Sequence, residues 1–139
     1  MEVISRTLSF HSELDEIRDI TGDLQAELGA TGLQDGTVTV FVPGSTAAIS
    51  CVEFEKGLVT EDIPKLLERI APKGDHYGHN ATWHDGNGYS HVRAFLLNPS
   101  ITIPFIGGQL SLGTWQQVIF LNLDNRARNR KLVLQFMGK

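Results

Sequence analysis

Five histidines occur in the chain, and four of them, His76, His79, His84 and His91, fall in one stretch that also holds Asp75 and Asp85. Imidazole is the commonest neutral metal ligand and the side chain best placed to move protons near neutral pH. His79, His84 and His91 are therefore candidate metal ligands. Together with Asp85 they are also candidate catalytic groups. A loop of this kind suits Zn²⁺ with an open coordination position, whereas Mg²⁺ prefers oxygen ligands. No HExxH or PCxxC signature accompanies the histidines. The alternative is that some of them cap turns or hydrogen-bond backbone carbonyls.

Two further clusters point to anions. Pro43-Gly44-Ser45-Thr46 follows a β-branched run and offers backbone N–H groups with two hydroxyls, a turn able to cradle a phosphate or simply to end a strand. Residues 126–131 concentrate four cations, Arg126, Arg128, Arg130 and Lys131. Arginine forks match phosphate geometry bidentately, although such a turn can also serve only to keep edge strands soluble. Trp115 and Gln116 add a large aromatic and an amide at a strand entry. Glu53, Glu55 and Asp62 lie near a helix start, where carboxylates favour the helix dipole.

The elements that must position these residues read as follows. Alternation over residues 3–10 predicts a strand, and apolar residues at 17, 20, 24 and 28 predict a helix over 15–28 with Gly29 as its C-cap. Residues 37–42 are a β-branched run stopped by Pro43-Gly44, and an apolar stretch continues over 47–54. Helical spacing returns over 58–70, with Pro64 in the first turn and Pro72 at the end. Residues 72–90, dense in Gly, Asp, Asn and His, read as a long loop, and Ser90 as the cap of a short helix over 91–97. Strands are expected over 100–106, 115–123 and 131–137, joined by turns at Gly107-Gly108 and Asp124-Asn125. This pattern predicts one α+β domain over 1–139, with a mixed, mostly antiparallel sheet or sandwich and two to three helices.

Composition bounds the function. With 41% apolar and 20% charged residues in 139, the chain can bury a core and is neither a disordered tail nor a fibrous repeat. The net charge of −4 argues against a nucleic-acid partner held by overall field. No apolar run reaches membrane-span length, and MEVISRTLSF lacks a signal-peptide pattern, so a cytoplasmic protein with no membrane partner is expected. The single cysteine, Cys51, cannot form an intrachain disulfide and reads as a small core residue. Neither a GxGxxG nor a GxxxxGK[ST] loop is present.

Residues 41–49 (FVPGSTAAI), 85–92 (DGNGYSHV), 99–100 (PS) and 108–117 (GQLSLGTWQQ), with the Arg-rich turn before the last strand, give the chain a resemblance to the YjbQ family that spans nearly its whole length. The resemblance implies a compact α+β fold assembled as a homotrimer, with a histidine-containing site near subunit boundaries. It also implies a thiamine-phosphate synthase activity, in which a pyrimidine diphosphate joins a thiazole phosphate and pyrophosphate leaves. His79 and His91 match the family's histidines, Trp115 and Gln116 its Trp-Gln, and Arg126, Arg128 and Arg130 its basic turn. Many members carry a histidine where this chain has Gly44. If that imidazole is a ligand or proton carrier, another group such as His84 must replace it. The expected function is thus an enzyme acting on small phosphorylated molecules, with a divalent metal (Zn or Mg) as the expected cofactor. The alternative is a non-catalytic trimeric module binding a metal or small anion, and a third option is that the histidines only stitch the subunit interface.

Overall fold

The computed structural model describes all residues, Met1–Lys139. Thirteen segments follow in the order β1 (Glu2–Ser12), β2 (Ile17–Asp19), α1 (Thr21–Thr31), β3 (Gly36–Phe41), β4 (Ala47–Glu53), a π-helical turn (Leu58–Asp62), α2 (Ile63–Ile70), α3 (Gly78–Trp83), α4 (Gly88–Leu97), β5 (Ser100–Ile106), β6 (Gln109–Leu110), β7 (Gln116–Asn122) and β8 (Arg128–Gly138). They build a five-stranded sheet, ordered β1-β8-β3-β5-β6, and a three-stranded sheet, ordered β2-β7-β4. Every strand pair is antiparallel. The α+β expectation holds, with four helices rather than two to three. No helix is long and apolar enough to cross a membrane.

Alternation explains the layering. In β8, Leu132, Leu134 and Phe136 are fully buried while the residues between them are exposed, so one face of the large sheet looks inward. That face packs Val38, Val40, Ile103 and Phe105 against Ile49, Val118 and Phe120 of the small sheet and against Ile20, Leu24 and Leu28. The strand β7 is buried on both faces. Its Ile119 and Leu121 join Ala48, Leu67, Ala94 and Leu123 in a second cluster beneath α2 and α4. The molecule is therefore layered as large sheet, small sheet with α1, then helices. Cys51 is half-buried against the main core and burial raises its thiol pKa, so it stays a protonated packing group.

Several expected boundaries shift. The helix predicted over 15–28 begins only at Thr21, because Asp15 takes a left-handed φ of 59° and Ile17 pairs with Leu121 in β2. Asp19 accepts the Thr21 N–H at 2.9 Å, and the C-cap is Gly32, with φ 76°, rather than Gly29. Residues 58–70 divide into the π-helical turn and α2, with Pro64 near the junction, where its missing N–H does least harm. The expected loop over 72–90 contains α3 and the start of α4. Ser90 lies inside α4, and Asn87 holds the N-cap position. The strand expected over 131–137 starts at Arg128, since β8 pairs with β1 as far as Ser12.

Candidate functional site

Two connections cross from one sheet to the other at the same end of the molecule. Residues 42–46 lead from β3 to β4, and residues 123–127 lead from β7 to β8. Their crossing is tied by the Leu123 N–H donating to the Thr46 carbonyl at 2.9 Å. The α3–α4 hairpin lies over it. Between them is a cavity of about 420 Å³ lined by Gly44, Ser45, Thr46, His79, Trp83, Asp85, Asn87, His91, Arg128 and Arg130.

The floor is a charged network. Asp124 is completely buried. Its carboxylate accepts from Thr46 Oγ1 at 3.1 Å, Asn87 Nδ2 at 3.2 Å, Arg128 Nε at 2.7 Å and its neighbour's N–H, Asn125, at 2.8 Å. Burial alone would raise its pKa, but these donors outweigh it and hold the carboxyl below its ordinary range. Arg130 donates through one terminal nitrogen to the Thr46 carbonyl and hydroxyl, both at 3.1 Å, and to Asn122 Oδ1 at 2.8 Å. Burial lowers its pKa, Asp124 only partly offsetting this, yet an arginine starts so high that the guanidinium remains a cation. Arg128 and Arg130 face the same side because they stand two apart on β8.

The wall is made by the histidines. The His79 and His91 rings lie 4.3 Å apart, tilted by 37°. Asp85 Oδ1 sits 3.5 Å from His79 Nδ1 and does not complete a hydrogen bond there. Burial, then the neighbouring His79, lowers the His91 pKa, against the pull of Asp124, Asp85 and a contact to the Ser45 backbone. Gly88 lets α4 start close against α3: its N–H donates to Asn80 Oδ1 at 2.9 Å, and a Cβ there would lie 2.4 Å from Tyr77 Cβ.

Four buried side-chain polar atoms in the chain lack a partner: His79 Nδ1, Asn87 Oδ1, Ser90 Oγ and Arg130 Nε. Three belong to the cavity wall, and Ser90 precedes His91 on α4. An unpaired buried polar atom costs about 1–3 kcal/mol, so this concentration marks a place where stability is given up for another end.

Of the residues singled out in the sequence, Ser45, Thr46, His79, Asp85, His91, Arg128 and Arg130 line this cavity, and His84, Trp115, Gln116 and Arg126 do not. His84 is the exposed C-cap of α3 in a left-handed conformation, φ 57°. Trp115 is exposed, and Gln116 pairs with Glu53 at the opposite end of β7 from Asn122. Arg126 is exposed, and its carbonyl accepts from Asn122. With His84 turned aside, no three His, Cys, Asp or Glu side chains converge as a metal centre requires. Within this chain the three protein ligands of a catalytic zinc site are therefore not assembled. Sequence reasoning missed Asn87, Asn122 and Asp124. Asp124 carries the one available signal, a carboxylate directly continuing a run of buried strand residues.

A second cleft, lined by Asp15, Lys73, Glu68 and Arg93 among others, offers less free charge. Lys73 pairs with Asp15 at 2.6 Å and Arg93 with Glu68 at 2.9 Å.

The chain is similar to other proteins over nearly its whole length. A protein of Methanothermobacter thermautotrophicus described as a UPF0047 protein is 41% identical over 140 aligned residues, covering 100% of this chain and 95% of that one. A UPF0047 protein of Archaeoglobus fulgidus is 37% identical, over 85% of this chain and 89% of its own length. The crystal structure of a YbjQ-like protein of unknown function from Sulfolobus solfataricus superposes with a TM-score of 0.89 at 27% identity, covering 99% of this chain and all of that one. A YjbQ/UPF0047 family protein from Clostridium acetobutylicum gives 0.83 at 34% identity, over 96% and 99% of the two chains. The family model described as UPF0047 protein YjbQ-like matches residues 6–139, and the chain belongs to that family.

Proposed function

We propose that this protein is an enzyme acting on small phosphorylated molecules, with the phosphoryl group bound over Arg128, Arg130 and the 44–46 turn. The supporting observation is the clustering of unpartnered buried polar atoms around two arginines at one cavity. The Arg130 terminal nitrogen that faces Gly44 and the exposed part of Arg128 supply donors to an anion, and the backbone at Gly44 and Ser45 lines the same space. His91 stands beside it as proton carrier, because burial and the adjacent His79 lower its pKa and so favour its neutral form. Synthesis of thiamine phosphate is chemistry of this class. A thiazole nitrogen forms the new C–N bond while a C–O bond breaks and pyrophosphate carries away the electron pair; the arginines would stabilise that leaving charge. We further propose that the chain works as a homotrimer.

Calorimetric titration with pyrophosphate tests the reading. Saturable binding is expected, weakened at least about ten-fold in Arg130→Ala and less in the more exposed Arg128→Ala. Absence of binding to the folded wild-type protein would overturn it. Formation of thiamine phosphate from the two phosphorylated precursors, abolished in His91→Ala with pyrophosphate binding retained, separates an enzyme from an anion-binding module.

A further inference from the structure

The polar cavity has a neighbour. A recess of about 230 Å³ opens beside it, bounded by Gly44, Ser45, Ala47, His91, Ala94, Phe95 and Pro99. Gly44, Ser45 and His91 line both spaces, so the two share a partition. Their characters differ. The first is lined by Arg128, Arg130, Asp85 and His79, whereas the second has His91 as its one titratable side chain.

The partition is low at Gly44. A Cβ there would lie 3.2 Å from one Arg130 terminal nitrogen, so position 44 puts no side chain beside it, while Thr46 engages the other terminal nitrogen. Across the recess, Ala47 and Ala94 are buried and present only methyl groups. Phe95 stands at the rim, 82% exposed, although the residue before it in α4 is packed away. The methyls of Ala47 and Ala94, the Phe95 ring and Pro99 give the recess an apolar lining that suits a flat or compact apolar group.

We propose that the two cavities form one bipartite site, which takes a phosphate ester whose phosphoryl group lies against Arg130 and whose apolar body crosses Gly44 into the recess beside Phe95. This inference rests on the phosphate reading above and specifies the substrate's other half. The occupant is the ligand's own body, because the recess shares Gly44, Ser45 and His91 with the charged cavity. His91, facing both spaces, then stands next to the ester linkage itself.

The test compares inorganic phosphate, glycerol 3-phosphate and phenyl phosphate in calorimetric titrations of the wild-type protein. Phenyl phosphate should bind about ten-fold more tightly than either of the others, as partial burial of one ring provides. Phe95→Ala should remove most of that advantage and leave inorganic phosphate binding unchanged, since its exposed ring contributes little to folding. If inorganic phosphate binds and phenyl phosphate binds no more tightly, the recess is not part of the site and only this proposal falls. An advantage that survives in Phe95→Ala would overturn it equally, as would a change of oligomeric state in that variant, which would make the recess a subunit contact. If none of the three compounds binds, the phosphate reading falls as well.

Discussion

His91 is the residue through which pH should act on the site. Burial and then His79 hold its pKa below the ordinary 6.5, and Asp124, Asp85 and the Ser45 backbone only partly offset them. Just below 6.5 the unfolded chain therefore binds a proton that the folded chain refuses. Unfolding free energy accordingly falls as the pH drops from 6.5 towards the folded value, and levels off beneath it. A bound dianion beside His91 reverses the preference by favouring the imidazolium. Sulfate has a fixed charge over this range, so its affinity should rise as pH is lowered from about 7 to 5, and His91→Gln should flatten that profile. A flat wild-type profile, measured by calorimetry at constant ionic strength, would remove His91 from contact with the anion. The sequence made His91 visible by its company of histidines and glycines. It could not show which histidines meet, because His84 is separated from the others by a left-handed cap that no periodicity announces.

At the scale of elements, the site depends on how closely α3 and α4 approach. Gly88 is the contact point, and a methyl there would overlap Tyr77 Cβ at 2.4 Å and crowd Asn80 Oδ1 at 2.9 Å. Gly88→Ala should lever the start of α4 away from α3 and separate His91 from His79. The expected cost is about 1–3 kcal/mol, read as a Tm lower by roughly 5–10 °C, with pyrophosphate affinity reduced in parallel. Gly74→Ala is the matched control: a Cβ there meets nothing within 4 Å, so both quantities should stay unchanged. Equal Tm and affinity in the two variants would show that this approach does not set the site. These two helices also mark where sequence reading reached its limit. The strands expected over 37–42, 100–106 and 115–123 were legible from β-branched and alternating residues, because one or both faces meet the core. The helix α3, six residues reading GHNATW, has no apolar stripe and few strong helix formers, and is fixed instead by contacts such as Gly88 to Asn80. The basic turn was misjudged for a similar reason. Arg128 and Arg130 belong to a strand because β1 pairs with that stretch, and the distant pairing turns both side chains inward.

For the whole molecule, the outer face of the large sheet is the feature that a single chain does not explain. Three adjacent rows across β1, β8, β3 and β5 read Val3–Met137–Thr37–Pro104, Ser5–Gln135–Thr39–Thr102 and Thr7–Val133–Phe41–Ser100. None of these residues is charged, and Thr39 and Thr102 satisfy each other's hydroxyls at 2.9 Å. Val3, Phe41, Val133 and Met137 are all exposed. The opposite face of the same strands forms the core, so the lack of charge here is not a by-product of burial within the chain. An uncharged sheet face with scattered apolar side chains matches the requirements of a self-interface better than those of a solvated surface. It is the face of the large sheet turned away from the core, and its third row ends beside the 42–46 connection that borders the cavity. Val133→Glu places a charge in the middle of the third row without touching the core. Sedimentation equilibrium should show the wild-type chain as a trimer and Val133→Glu as a folded monomer with unchanged far-UV circular dichroism, since charge desolvation at such an interface costs several kcal/mol per subunit. A wild-type monomer would refute trimerisation outright, and a Val133→Glu trimer would move the interface to another face. Retained pyrophosphate binding by the monomeric variant would then show that the site is complete within one subunit, whereas its loss would place a neighbouring chain's residues at the cavity mouth.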